Sequence, residues 1–137
     1  MNEKIKSDDA TTELNEPFLK TREEFKQYIV DNKYVIVKLS ATWCNPCKIL
    51  KNHFNEFFKE ALSYNPDIKY LDVDIDKSND ISSHLRVRSI PLCLSFINGE
   101  MQYSTNSSKR EDAKYFFEQT LNKITSVKNA SEYMTDI

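Results

Sequence analysis

The stretch Tyr34-Val35-Ile36-Val37-Lys38-Leu39-Ser40-Ala41-Thr42-Trp43-Cys44-Asn45-Pro46-Cys47-Lys48 decides how this chain folds. Up to Ala41 it is a β-branched, apolar run that reads as a buried strand. From Ile49 to Leu62 the apolar residues Leu50, Phe54, Phe57, Phe58 and Ala61 recur at helical spacing. A C-x-x-C pair at a strand-to-helix joint points to a dithiol that cycles to a disulfide. The first turn of a helix exposes unpaired backbone N–H groups and the positive end of the helix dipole. A thiolate on Cys44 is stabilised there, and the thiolate is the reactive form of cysteine. Pro46 suits that turn, where no N–H is needed and its fixed φ is already helical.

Outward from this joint, the rest of the chain reads as alternating elements. Residues 1–15 are polar and aperiodic, a leader without the apolar core of a secretory signal. Glu16-Pro17-Phe18-Leu19-Lys20 is expected as a short edge strand. Thr21-Arg22-Glu23-Glu24 has the form of a capping box, opening a helix that carries Phe25, Tyr28 and Ile29 and ends near Asn32. Asn65-Pro66-Asp67 stops the helix that follows the cysteines, and Ile68 to Asp74 is a strand. Ser78 to Val87 is a short helical segment, and Leu92 to Ile97 is a strand. Asn98-Gly99 turns that strand into a return strand from Met101 to Ser104. Lys109 to Ile124 is a closing helix, leaving 126–137 as a C-terminal tail. The fold class is therefore α/β, a central mixed sheet of four to five strands with helices on both faces. The folded domain spans 16–125. A right-handed crossover places the 68–74 strand beside the 34–41 strand.

The 137 residues suffice for one domain with a real core. A net charge of −2 gives no electrostatic footprint for nucleic acid or an anionic membrane. No run of about 18 apolar residues is present to span a bilayer. Three cysteines, two of them in one motif, do not make a secreted disulfide framework, so a reducing, cytoplasmic setting is expected. Zinc would need ligands beyond Cys44 and Cys47, and Cys93, His53 and His84 form no second paired motif. No metal or other cofactor is expected. Cys93 reads as a small apolar core residue.

Three separated segments resemble the thioredoxin family. Ser40 to Lys48 is similar to its active-site segment, Ser89-Ile90-Pro91 to its cis-proline loop, and Phe96-Ile97-Asn98-Gly99-Glu100 to its strand-and-hairpin segment. The resemblance covers about residues 17 to 125. It implies the thioredoxin fold and the reduction of protein disulfides. It makes Cys44 the exposed attacking thiol and Cys47 the more buried, resolving one. Trp43, Ile90 and cis-Pro91 would contact the substrate, with Asn45, Pro46, Lys48, Lys38 and Asp72 as supporting residues. An NADPH-dependent thioredoxin reductase would recharge the dithiol of a monomer.

Several positions depart from that pattern. Asn45 stands for the family's glycine, Asn52 for a helix-kinking proline, and Leu92 for a threonine. Lys38 stands where the family has a buried aspartate thought to relay the proton of the resolving cysteine. Asp72 stands where many bacterial members have a lysine, so the two charges look exchanged. An isolated buried lysine costs several kcal/mol, so an ion pair of Lys38 with Asp72 is expected beneath Cys47. These departures leave two alternatives open. One is an oxidant or isomerase with a potential raised by Asn45. The other is a binding module whose redox turnover Lys38 has weakened.

Overall fold

The computed structural model describes residues 17–136. In chain order the elements are α1 (Arg22–Asp31), β1 (Tyr34–Ser40), α2 (Asn45–Tyr64), β2 (Ile68–Asp74), α3 (Asn79–His84), β3 (Leu92–Ile97), β4 (Glu100–Thr105) and α4 (Arg110–Asp136). The strands form one sheet in the order β2-β1-β3-β4. β1 runs parallel to β2, which lies beside it as expected, and antiparallel to β3, while β4 pairs antiparallel with β3.

Strand parity sorts the core into two layers. Val35, Val37 and Leu39 face one way and pack with Phe25 and Ile29 of α1 and Ile81 of α3. Tyr34 and Ile36 face the other way, against Leu50, Phe54, Phe57, Phe58 and Ala61 of α2 and Phe116 and Phe117 of α4. Because β1 is covered on both sides, every residue from Tyr34 to Leu39 is buried, Lys38 included. Phe54 centres the second layer. It lies 5.3 Å from Phe117 and 5.2 Å from Tyr70, centroid to centroid.

Local chemistry sets the element ends. The Thr21 hydroxyl accepts from the Glu24 amide while the Glu24 carboxylate accepts from the Thr21 amide, completing the capping box. Asn98 and Gly99 both take positive φ, 53° and 82°, as a tight two-residue hairpin requires. A register shift between Ser95 and Phe96 opens the β3–β4 ladder. There the Ser95 hydroxyl accepts from the Tyr103 amide and from Thr120 Oγ1 of α4, so the polar groups at the shift stay paired inside the core.

Two expectations are corrected. Residues 17–20 form no strand, so the sheet has four strands among the described residues. Their backbone groups are engaged elsewhere: the Leu19 carbonyl accepts from Ser78 Oγ, and the Lys20 amide donates to the Glu24 carboxylate. Glu16 and the leader lie outside the described residues. The closing helix also does not stop near Ile124; it continues through most of the segment assigned as a tail, to Asp136. No glycine or proline follows Arg110 to end it, and Val127 still packs on the α2–α4 core.

Phe54→Ala is expected to destabilise the fold by about 3–5 kcal/mol in urea unfolding, since the ring is fully buried among aromatics. A pH effect follows from two carboxylates. The Lys20 and Thr21 amides hold Glu24 below its ordinary value, and the Arg22 amide and guanidinium do the same for Asp80. A carboxyl depressed in the folded state adds stability above its unfolded value and loses it as pH falls through the folded one. Amides of α1 should therefore lose exchange protection on acidification before those of β1. Equal loss in α1 and β1 would count against this.

Candidate active site

α2 begins at the cysteine pair, with Cys44 as its N-cap and Pro46 in its first turn. Cys44 and Cys47 are joined as a disulfide with their Cα atoms 5.3 Å apart. The Cys47 amide donates to Cys44 Sγ at 3.2 Å, the bond an N-cap side chain makes with the first turn. Cys44 therefore holds the position where negative charge on sulfur is best supported.

Exposure does not separate the two sulfurs as expected. Cys44 is 4% exposed and Cys47 5%, so Cys44 is as buried as its partner. Each bonded sulfur shields the other, and both pack with Ala41 under the partly buried Ile75 and Ile90. The Ile90–Pro91 peptide is cis, and Pro91 is buried. Asn45, Pro46 and Lys48 line the outer side of the turn and are exposed. Trp43 is 64% exposed beside them. Its indole N–H donates to Asp76 Oδ2 at 2.8 Å, which holds the ring near the dithiol. Neither Asp76 nor Ile75 was assigned to this site from the sequence. The Asp74-x-Asp76 spacing carried a signal, because the Asp74 carboxylate accepts from the Asp76 and Lys77 amides in a tight turn that aims Asp76 back at Trp43.

Below the disulfide, Lys38 sits opposite Asp72 in the parallel ladder and opposite Cys93 in the antiparallel one. The Lys38 ammonium stands 5.1 Å from the centroid of the Phe54 ring. Its relation to Asp72 is one of charge across the ladder rather than the expected salt bridge at contact distance, and the Tyr70 side chain also favours the Asp72 carboxylate. Burial pushes the Asp72 carboxyl above its ordinary value, and the Lys38 charge and the Tyr70 hydrogen bond offset this only in part. The Asp72 residue is nevertheless exposed at its outer surface, at the mouth of a cleft of about 370 Å³. Lys38, Cys47, Lys48, Lys51, Asp72 and Asp74 all line that cleft. Cys93 lies outside it and is 1% exposed, and burial pushes its thiol up to about 12.

Known proteins resemble this chain in sequence and in fold. The thioredoxin family model matches residues 16–122. A thioredoxin of Mycoplasmoides gallisepticum is 40% identical over 78 residues, which is 57% of this chain and 74% of that protein. A thioredoxin of the snake Ophiophagus hannah is 31% identical over 80 residues, 58% of this chain and 72% of that protein. Among solved structures, Malassezia sympodialis thioredoxin superposes with a TM-score of 0.66 at 23% identity, covering 75% of this chain and 90% of that one. Oxidised mitochondrial thioredoxin 3 of Saccharomyces cerevisiae gives 0.64 at 23% identity, covering 74% and 92%.

The burial of Cys93 has a direct consequence. Native, reduced protein treated with iodoacetamide at neutral pH should carry label at Cys44, whose thiolate the helix start supports, but not at Cys93, which is labelled only after unfolding. Peptide mass spectrometry reads the outcome, and rapid native labelling of Cys93 would contradict it.

Proposed function

The chain belongs to the thioredoxin family, and from that premise we propose that it works as a reductase of protein disulfides, with Cys44 attacking and Cys47 resolving. It is a thiol-disulfide oxidoreductase built on the Cys44–Cys47 pair. The observation that carries the assignment of roles is the Cys47 amide donated to Cys44 Sγ at the helix start. In the reduced protein, the Cys44 thiolate attacks one sulfur of a substrate disulfide. The other substrate sulfur leaves with the electron pair and takes up a proton. Cys47 then gives up its own proton and attacks Cys44 Sγ. The remaining substrate sulfur leaves as a thiolate, the Cys44–Cys47 bond forms, and two electrons have passed to the substrate.

Ile90 packs against the disulfide, and together with exposed Trp43 and cis-Pro91 it would form the surface on which a substrate segment lies. Asn45, Pro46 and Lys48 shape the turn, and Lys38 and Asp72 set the charge beneath it. The protein acts as a cytoplasmic monomer and is recharged by an NADPH-dependent thioredoxin reductase. Among the described residues no helix is long and apolar enough to cross a membrane.

The insulin-precipitation assay tests this reading, first with dithiothreitol and then with NADPH and a thioredoxin reductase. Turnover in both is expected. Cys44→Ser should abolish it, and Cys47→Ser should accumulate a mixed disulfide with insulin through Cys44. Absence of turnover in both assays would support a thioredoxin-fold binding module instead. Turnover with dithiothreitol together with a dithiol more oxidising than glutathione would support an oxidant.

A further inference from the structure

We propose that Asp72 is the acid–base partner of Cys47, exchanging a proton with its thiol through the cleft that both side chains line. The inference rests on the assignment of Cys47 as the resolving thiol.

The chemistry creates the need. Cys47 must lose a proton as it attacks Cys44 Sγ, and it regains one when the disulfide is reopened. Cys47 is buried, and Ala41, Ile75 and Ile90 pack over the disulfide. The cleft gives it a path to solvent on the side toward the sheet. The titratable side chains around that path are few. Lys38 reaches it from β1, and Lys48 and Lys51 from α2. Lysine ammoniums donate protons but have no lone pair with which to accept one. Asp74 lines the cleft too, but its Oδ1 caps the turn after β2 by accepting from the Asp76 and Lys77 amides, which gives that carboxylate a structural task. Tyr70 bonds to Asp72 itself, and Cys93 sits behind the pair from β3. Lys77 stands at the outer end, in the neighbouring hollow that Asp72 and Asp74 also line. Asp72, opposite Lys38 in the ladder and exposed at the cleft, is the carboxylate without such a turn to hold.

Its surroundings suit the task. Burial raises the Asp72 carboxyl toward the range where a base works best near neutral pH. The Lys38 charge opposes that rise and favours the carboxylate form. The residue is exposed at the cleft mouth, so a proton taken from Cys47 passes on to solvent. In the balanced step, the Cys47 thiol proton goes to Asp72 and the Cys47–Cys44 bond forms. The Cys44–substrate bond breaks, and the electron pair leaves on the substrate sulfur. Lys38, which acts through Asp72, is a positioning residue.

Ellman's reagent isolates the step, because its leaving thiolate needs no proton. Mixed with reduced protein, it releases one thionitrobenzoate when Cys44 attacks and a second when Cys47 resolves. Stopped-flow rates of the second release, measured across pH, should rise through an ionisation above the ordinary carboxylate range in the wild type. Asp72→Asn should lose that limb and resolve about 10-fold more slowly at neutral pH, a modest effect for general base catalysis because cleft water also accepts protons. Formate or imidazole should restore part of the loss. Asp72→Glu should retain the limb, and Lys38→Met should move its midpoint upward. An Asp72→Asn profile superimposable on wild type would overturn the proposal. So would a uniform loss with the midpoint retained and no rescue by added base. Failure of the wild type to release the second thionitrobenzoate would count against the dithiol reading instead.

Discussion

One hydrogen bond, from the Cys47 amide to Cys44 Sγ, ties the fold of this chain to its chemistry. It exists because β1 ends at Ser40 and α2 begins at Asn45, leaving Cys44 as the half-in residue of a long helix. An N-cap normally offers oxygen to the first turn; here the acceptor is sulfur. The same amide that caps the helix lowers the cost of charge on Cys44, so the start of the helix and the reactive position coincide.

That junction stays in place because the elements on either side are buried. β1 is the inner strand between β2 and β3, covered by α1 and α3 on one face and by α2 and α4 on the other. Leu50, Phe54, Phe57, Phe58 and Ala61 anchor α2 against the sheet along one stripe, and that stripe fixes the direction in which its first turn points. Ile75 and Ile90 then close over the disulfide from the segments following β2 and preceding β3. Loop residues supply the lid, and the rigid sheet supplies its position.

Much of this was legible in the sequence, for identifiable reasons. The apolar stripe of α2, the capping box at Thr21 and the Asn98-Gly99 turn are local patterns whose physics is complete within a few residues. What was not legible depends on partners distant in the chain. Residues 17–20 looked like a strand, but Ser78 and Glu24 take up their backbone groups. The similar burial of Cys44 and Cys47 arises from packing by Ile75 and Ile90, which no spacing around the C-x-x-C reveals. The Trp43–Asp76 bond joins two loops, and only the Asp74 turn hinted at it. The exchange of charge between positions 38 and 72 was readable from parity, but the separation of the two groups was not.

The buried lysine shows why the cleft belongs to the design of the site. Removing an ammonium from water costs several kcal/mol even after relaxation. A face-on aromatic ring returns about 2 kcal/mol when desolvated, so Phe54 alone does not offset the burial of Lys38. Asp72 contributes through its charge, yet it does so across the ladder and keeps its own hydrogen bond to Tyr70. The cleft that Lys38 lines beside Cys47 adds a third contribution, because it opens a route for water toward the ammonium. The opening that helps a buried lysine sit on β1 is the same opening that gives Cys47 its route to solvent.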